Sequence, residues 1–273
     1  MRYHKAYLFL LALLTTAGAR ADASGEIPFR LVQGFAIVVR GRVGPVNDLN
    51  FLLDTGAVPS VIGARLASRM GVEGERGSFH LLSKEIDARY VTVDDVCLGT
   101  ICSASLSMVV VDLQQFERLL GVRIDAVIGL DLLAGENISI DYRAKKIVRG
   151  LSGRSEYSVS VEIASAAGAP YWLLPIQISG QSLRVLLDTG TNEFGVFSRT
   201  GSETYVDLKK NASEVVLPQL FMGNRGFEHK TEAVLKLPPG TMQGVDGVLG
   251  PKALGICRIE LDWGRRRLLW SEK

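Results

Sequence analysis

Two stretches of this chain are near copies of each other, and the duplication limits the folds that it can adopt. Residues 52–57 read Leu-Leu-Asp-Thr-Gly-Ala and residues 186–191 read Leu-Leu-Asp-Thr-Gly-Thr, an offset of 134. A second pattern at residues 124–129 returns at residues 245–250, an offset of 121. Recurring similarity of this kind indicates a duplicated structural unit. We therefore expect two copies of one unit, the second with 13 fewer residues between its motifs.

Both copies read mostly as β-structure. Apolar residues alternate with other residues along residues 172–178, and residues 35–39 form an apolar run rich in β-branched side chains. Both patterns are typical of strands. Residues 89–95 and 106–111 are predicted to form a further pair of strands. The expected fold class is all-β, that is, mainly β with short helices.

The chief predicted helix follows the first motif. Apolar residues there are spaced four apart, Ser60 can cap the start of the helix, and Gly71 can end it. The polar stretch at residues 150–158 is the predicted boundary between the copies. It divides the chain after its leader into a first unit at residues 22–150 and a second at residues 151–273.

Residues 1–21 have the character of a secretory signal peptide. Basic residues precede an apolar run at residues 6–14, and small residues follow with two Ala-x-Ala cleavage sites, ending at Ala19 and Ala21. The alternative is an uncleaved membrane anchor, although the run is shorter than the ~20 residues of a spanning helix. We expect an exported protein, periplasmic or secreted, with no stable membrane insertion after cleavage.

Charge and composition narrow the possible partners. The chain has 31 Lys and Arg residues against 29 Asp and Glu residues. Such a balance lacks the basic footprint of a nucleic-acid-binding protein, so no nucleic acid is expected as a partner. After the leader the histidines are His80 and His229, without a zinc-type spacing of His or Cys. We therefore expect neither a metal nor another cofactor.

The duplicated Asp-Thr-Gly supplies two carboxyl groups, those of Asp54 and Asp188. In each copy an apolar strand leads to the aspartate, the threonine can hydrogen-bond across a tight turn, and the glycine permits close backbone approach. If the turns meet about a twofold axis, the carboxyls share one proton, because two adjacent carboxylates do not both ionise easily. One carboxyl can then accept a proton from a bound water while the other polarises a substrate carbonyl. This chemistry hydrolyses an amide without a covalent intermediate.

Each copy resembles a retropepsin-type aspartic protease unit. The whole chain resembles the pepsin and retropepsin superfamily, nearest to bacterial exported aspartyl proteases with two tandem units. The matching residues are 51–57, 60–62, 128–133, 185–191 and 248–250. The resemblance implies two retropepsin-like β-barrel lobes that form a pepsin-like pseudodimer.

The resemblance also implies roles for particular residues. Asp54 and Asp188 would be the catalytic aspartates, and Thr55 and Thr189 would form a hydrogen-bonded grip between the two loops. A hairpin flap would close over the substrate, with residues 73–90 and 205–216 as its candidate positions. The other implied residues are loop supports, Gly56, Gly190 and Thr191, and structural apolar-Gly elements, Ile128, Gly129, Leu249 and Gly250.

The function predicted from the sequence is an aspartic endopeptidase acting on an extended peptide or protein. We expect a monomer whose two units form one site. One alternative is an inactive pseudoenzyme that binds peptides or a protein partner in the cell envelope. Another is a homodimer in which each unit pairs with its counterpart in a second chain.

Two finer expectations concern single positions. Ala57 follows the first motif, whereas Thr191 follows the second and carries a hydroxyl that could hydrogen-bond Asp188. Asp54 is therefore predicted to hold the shared proton. Cys97 and Cys102 flank a possible hairpin turn, so a disulfide and two reduced, buried thiols are both open interpretations.

Overall fold

The computed structural model describes residues 25–81, 84–198, 214–236 and 244–272. The fold is mostly β, as the sequence predicts. Strands in the first half are β1 (Glu26–Val32), β2 (Ala36–Val43), β3 (Val46–Leu53), β4 (Val61–Gly63), β5 (Gly74–Leu81), β6 (Lys84–Leu98), β7 (Ile101–Val111), β8 (Ala126–Ile128), β9 (Ile138–Asp141) and β10 (Lys146–Arg149). Strands in the second half are β11 (Tyr157–Ser160), β12 (Glu162–Ala166), β13 (Ala169–Ile178), β14 (Gln181–Leu187), β15 (Phe194–Ser198), β16 (Glu214–Met222), β17 (Arg225–Lys236), β18 (Gly247–Leu249), β19 (Arg258–Asp262) and β20 (Arg267–Ser271).

The strands of each half pair in the same order. In the first half the ring of pairings runs β2-β3-β8-β4-β7-β6 and closes when β6 pairs with β2. In the second half the ring runs β13-β14-β18-β15-β17-β16 and closes when β16 pairs with β13. A closed ring leaves no unpaired edge, which explains why short strands suffice for a stable barrel. The duplicated sequence thus gives two six-stranded rings of equal connectivity.

A further group of strands, which continues into the first ring where β1 pairs with β2, joins the halves. Its order is β11-β20-β19-β9-β10-β1, with β9 and β19 at the centre. These central strands are equivalent segments of the two copies, and they pair antiparallel with Ile140 opposite Ile259. An ion pair crosses the same junction, with Arg258 Nη2 lying 2.5 Å from Asp141 Oδ2. Each half therefore contributes three strands to one shared sheet.

Helices are short and few in the described residues. They are α1 (Ala64–Met70), α2 (Gln114–Leu120) and a 3₁₀ helix at Pro251–Leu254. Gly71 ends α1 in the left-handed conformation, as predicted. The predicted start at Ser60 was wrong, because residues 61–63 form β4 and Gly63 occupies the N-cap position. None of the helices within the described ranges is long and apolar enough to span a membrane.

The predicted pair at residues 89–95 and 106–111 is confirmed as part of the β6 and β7 hairpin. Cys97 lies directly opposite Cys102 there, and the two sulfurs form a disulfide. The structure therefore has the disulfide and not the two reduced thiols. The predicted signal peptide lies outside the described residues.

Candidate active site

The two Asp-Thr-Gly loops begin where buried strands end. β3 pairs in parallel with β8, and β14 pairs in parallel with β18. Just past the first pair, the backbone N–H of Asp54 donates to Ile128 O at 2.9 Å. Just past the second, the N–H of Asp188 donates to Leu249 O at 3.0 Å. These hydrogen bonds fix the position of each aspartate relative to the end of the sheet. Both aspartates are only partly buried.

The two threonines bind each loop to the other. The Thr55 hydroxyl donates to Leu187 O at 2.7 Å and accepts from the Thr189 N–H at 3.1 Å. The Thr189 hydroxyl does the same in return, donating to Leu53 O at 2.9 Å and accepting from the Thr55 N–H at 3.1 Å. Both side chains are buried. The structure therefore brings the predicted grip residues together in one chain with twofold-related contacts.

The glycines of the motif allow the two carboxyls to meet. A Cβ atom at Gly56 would lie 2.7 Å from the Asp188 carboxyl carbon, and one at Gly190 would lie 2.6 Å from that of Asp54. Each glycine N–H also donates to its own aspartate, at 2.8 Å in the first loop and 2.7 Å in the second. Any larger residue would push the opposing carboxyl away. The motif glycine is thus required by the neighbouring loop and by no unusual backbone angle of its own.

The predicted apolar-Gly elements lie directly behind these loops. A Cβ atom at Gly129 would lie 2.2 Å from Ala57 O, and one at Gly250 would lie 2.2 Å from Thr191 O. Such a distance to a backbone atom leaves no room for a side chain. Both elements therefore serve as closely packed backing for the loops.

The two aspartates perturb each other's ionisation. Burial raises the pKa of Asp54, although backbone N–H groups of its own and the opposing loop oppose that rise. Burial and the neighbouring charge of Asp54 raise the pKa of Asp188 well above its ordinary range. The pair is therefore expected to hold one proton at pH values where isolated carboxyls have lost theirs.

The prediction that Asp54 holds the shared proton stays a prediction. The Thr191 hydroxyl accepts a hydrogen bond from the Glu193 N–H at 3.2 Å, within its own loop. The pKa of each aspartate is raised, and burial is the first cause for both.

Comparison with known families identifies the region around the first loop. Residues 37–132 match the aspartyl protease family. A search of curated proteins finds no match to the chain. The aspartyl protease match includes Asp54, Thr55, Gly56 and the Ile128-Gly129 element, whereas the Asp188 loop lies beyond its end. The Asp188 loop is related to the matched residues by its equivalent place in the second ring of strands.

Within the aspartyl protease match, β5 and β6 form a hairpin at the first candidate flap position. The strands pair from Gly74 opposite Val91 to Leu81 opposite Lys84. One face of the hairpin carries Phe79, Ile86 and Tyr90, which belong to the same apolar cluster as Ala57, the residue after the first Asp-Thr-Gly. The second candidate, residues 205–216, lies largely outside the described residues.

Two contacts, one in each ring of strands, were not predicted from the sequence. Asp125 Oδ2 accepts from the Asn50 N–H at 3.0 Å, and Asp246 Oδ2 accepts from the Arg184 N–H at 2.8 Å. These aspartates occupy the same place in the duplicated second pattern. The repeat is the sequence feature that could have indicated these contacts, because an aspartate recurs at the same place in both copies, just before a buried residue. The two aspartates hold the starts of β8 and β18 against β3 and β14, and they do not reach the Asp-Thr-Gly loops.

A further contact that the sequence did not predict involves Ser60 and Asp131. Ser60 is fully buried, its N–H donates to Asp131 Oδ2 at 2.8 Å, and its hydroxyl also donates to that carboxylate. No local pattern predicts this pair, because its members are 71 residues apart. Among the described residues, no group of three or more His, Cys, Asp or Glu side chains could hold a metal ion.

Proposed function

We propose that this protein is an aspartic endopeptidase whose catalytic residues are Asp54 and Asp188. The observation that carries the proposal is the reciprocal arrangement of the two loops. Each glycine faces the opposite carboxyl, and each threonine hydroxyl contacts the opposite backbone. Holding two carboxyls together costs free energy, because both lose hydration and repel when ionised. A fold that does so with this many contacts needs the pair for chemistry.

A shared proton gives the pair both an acid and a base. The ionised carboxyl accepts a proton from a water molecule, whose oxygen attacks the carbon of the substrate amide. The protonated carboxyl meanwhile donates to the carbonyl oxygen, which gives a tetrahedral diol. The pair then donates its proton to the amide nitrogen and accepts one from a hydroxyl of the diol as the C–N bond breaks, which gives a carboxylic acid and an amine. No covalent bond to the protein forms, and one proton remains on the pair after each cycle.

The substrate we propose is an extended stretch of peptide or protein. The β5 and β6 hairpin lies in the apolar cluster that reaches the first loop, and it carries side chains suited to cover a peptide. An extended chain offers backbone groups to such a hairpin and apolar side chains to the surface below it. Apolar residues on both sides of the cleaved bond are therefore expected to be preferred.

We also propose that the protein acts as an exported monomer, in the periplasm or secreted. The leader at residues 1–21 and the disulfide support export, since disulfides persist in oxidising compartments. The presence of both loops in one site supports a monomer. N-terminal sequencing of the protein recovered from the cell envelope and the medium tests export, and its solution mass tests the monomer.

The decisive experiment is cleavage of a peptide library by the mature protein from acid to neutral pH. Asp54→Asn and Asp188→Asn should each lower kcat by about 10²- to 10⁴-fold, because each removes one of the two proton-transfer groups. Cleavage that survives both substitutions would contradict the mechanism. Peptide binding without cleavage by the wild-type protein would instead favour the pseudoenzyme.

A further inference from the structure

The Ser60–Asp131 pair joins a buried serine to a partly buried carboxyl group. Three donors converge on the carboxyl group: the Ser60 N–H at 2.8 Å, the Ser60 hydroxyl, and the Leu132 N–H at 3.0 Å. Burial raises the pKa of Asp131, and these hydrogen bonds oppose that rise. The Ser60 oxygen in turn accepts from the Gly129 N–H at 2.8 Å. The pair thus controls the position of Gly129.

Gly129 connects this pair to the aspartate loop. It follows Ile128, whose carbonyl accepts the Asp54 N–H at 2.9 Å. It also packs against the far side of the loop, since a Cβ atom on Gly129 would lie 2.2 Å from Ala57 O. The N–H of Ala57 donates to Asp54 O at 3.1 Å. Gly129 therefore lies between Ile128, which holds the Asp54 N–H, and Ala57 at the end of the loop.

The second half holds its equivalent glycine without any such pair. In the repeat, Ser60 corresponds to Phe194 and Asp131 corresponds to Lys252. The Gly250 N–H donates to the Glu193 backbone carbonyl at 2.8 Å, where the first half uses the serine hydroxyl. The same fold thus forms with a backbone acceptor alone. The Ser60–Asp131 pair is therefore not needed to build such a loop, and taking a carboxyl group partly out of water is unfavourable.

We propose that Ser60 and Asp131 are positioning residues for Asp54, an inference that rests on the proposed peptide hydrolysis. The pair fixes the first loop through Gly129 so that the Asp54 carboxyl stays against that of Asp188. Neither residue touches the substrate. Without the pair, Gly129 loses its acceptor and the loop gains freedom to withdraw Asp54 from its partner.

Kinetics of Ser60→Ala and Asp131→Asn test this role. Displacing a catalytic group by about 1 Å can cost a hundredfold in rate, so kcat should fall by about ten- to a hundredfold. KM should change little, because the substrate-contacting surface is intact. Lys252→Ala, at the matching place in the second half, should retain wild-type kcat. Asp125→Asn should lower stability but leave the kcat of the folded protein unchanged.

A substrate-free measurement keeps the inference testable if no cleavage is found. Carboxyl ¹³C NMR follows the two titration steps of Asp54 and Asp188, whose separation reports how closely the groups interact. Ser60→Ala removes no charge and should reduce the difference between the two apparent pKa values of the pair. Asp131→Asn should reduce this difference further. Lys252→Ala and Asp125→Asn should leave it at the wild-type value. Ser60→Ala removes a single oxygen, so it also serves if Asp131→Asn fails to fold.

The outcomes separate the two proposals. Wild-type separation in folded Ser60→Ala protein would overturn the positioning role, even if kcat fell, because the pair would then act elsewhere than on the aspartates. Cleavage that is insensitive to Asp54→Asn would overturn the proposed hydrolysis, whatever the titrations gave. Loss of cleavage in Asp54→Asn with wild-type kcat in both pair variants would overturn the positioning role alone.

Discussion

The two halves of the molecule agree closely where their loops meet and differ in what supports each loop. At the meeting point every contact has a twofold partner, from the threonine hydroxyls to the glycines that face opposite carboxyls. Behind the loops, the Gly129 N–H donates to the Ser60 hydroxyl oxygen, whereas the Gly250 N–H donates to the backbone carbonyl of Glu193. Contacts between the halves are thus alike, and contacts within each half have diverged.

The difference follows from whether a contact joins the two halves or lies within one of them. A change in one loop alters both sides of the meeting point, because each threonine binds the backbone of the other half. A change behind one loop needs compensation only within that half, where either a side chain or a backbone carbonyl can satisfy the glycine. The reciprocal contacts therefore point to joint chemistry, and the unequal supports point to separate adjustment of each aspartate.

The largest effect should come from placing a methyl group between the loops. Gly56→Ala and Gly190→Ala put a Cβ atom 2.7 Å and 2.6 Å from the opposing carboxyl carbon, so the carboxyls must separate. Each variant should lower kcat/KM at least about a hundredfold, since catalysis depends on that geometry. Gly264→Ala, whose nearest neighbour would lie 3.7 Å away, is the control.

Equal losses in the two variants would support the symmetry of the meeting point. If Gly56→Ala were inactive while Gly190→Ala retained wild-type activity, one loop would be free to move. The comparison between equivalent loops would then be wrong.

The next largest effect should fall on stability when a threonine hydroxyl is removed. Thr55→Val leaves the Thr189 N–H and the Leu187 carbonyl without their partners, and Thr189→Val does the same to the first half. Buried groups left unpaired cost about 1 to 3 kcal/mol each, so either variant should lose about 3 kcal/mol of unfolding free energy. Urea denaturation measures this loss.

Serine variants at the same positions give the matched control. Thr55→Ser and Thr189→Ser keep the hydroxyl, so they should lose much less stability than the valine variants. A serine variant as unstable as its valine counterpart would assign the effect to the missing methyl group and not to the hydrogen bonds.

Much of this architecture could be predicted because the signals were local and occurred twice. Alternating apolar residues predicted the strand now seen as β13, and the repeated Asp-Thr-Gly predicted that Asp54 and Asp188 would meet. The equivalent residues 138–142 and 259–263 pair at the junction for the same reason, since duplicated strands bury similar faces. Duplication supplied information that a single copy lacks.

The errors came from partners that are distant in sequence. Ser60 resembled a helix cap, because serine before an apolar stretch often is one. Its real acceptor is Asp131, which only the folded barrel brings near, and the intervening residues pair as β4. Side-chain direction depends on tertiary contacts that local patterns do not contain.

A smaller effect on stability should come from removing the disulfide, which distinguishes the halves. Cys97 and Cys102 face each other one pair before the β6 and β7 turn. At the same place beside the β16 and β17 turn, the ring of Phe221 lies close to Gly226. Replacing both cysteines with serine should cost about 2 kcal/mol, because the closed loop is short.

Hydrogen exchange locates that loss. Amide protection should fall in β6 and β7 and stay unchanged in β16 and β17, since the second hairpin has Phe221 and Gly226 where the first has the disulfide. Loss of protection in both hairpins would mean that the halves unfold as one unit and that the comparison does not extend to local stability.

The smallest effect concerns how stability changes with pH, and it returns to the shared proton. Burial raises the pKa of Asp54 and Asp188 above the ordinary carboxyl value of 3.8, so the folded protein binds more protons than the unfolded chain. The stability from this proton binding is present below that ordinary value and is lost as pH rises through the raised pKa. An asparagine at either position cannot ionise, so the variant does not lose this part of the stability as pH rises. Asp54→Asn and Asp188→Asn should therefore match the wild-type Tm in acid and exceed it increasingly towards neutral pH.

Thermal unfolding at several pH values measures the difference in Tm between each variant and the wild type. The two variants should give the same dependence on pH, because each removes the same interaction between the carboxyls. A difference that stayed constant with pH would contradict a shared proton. A dependence seen in only one variant would mean that a single aspartate carries the perturbed pKa, because coupled groups that hold one proton between them respond alike to the loss of either.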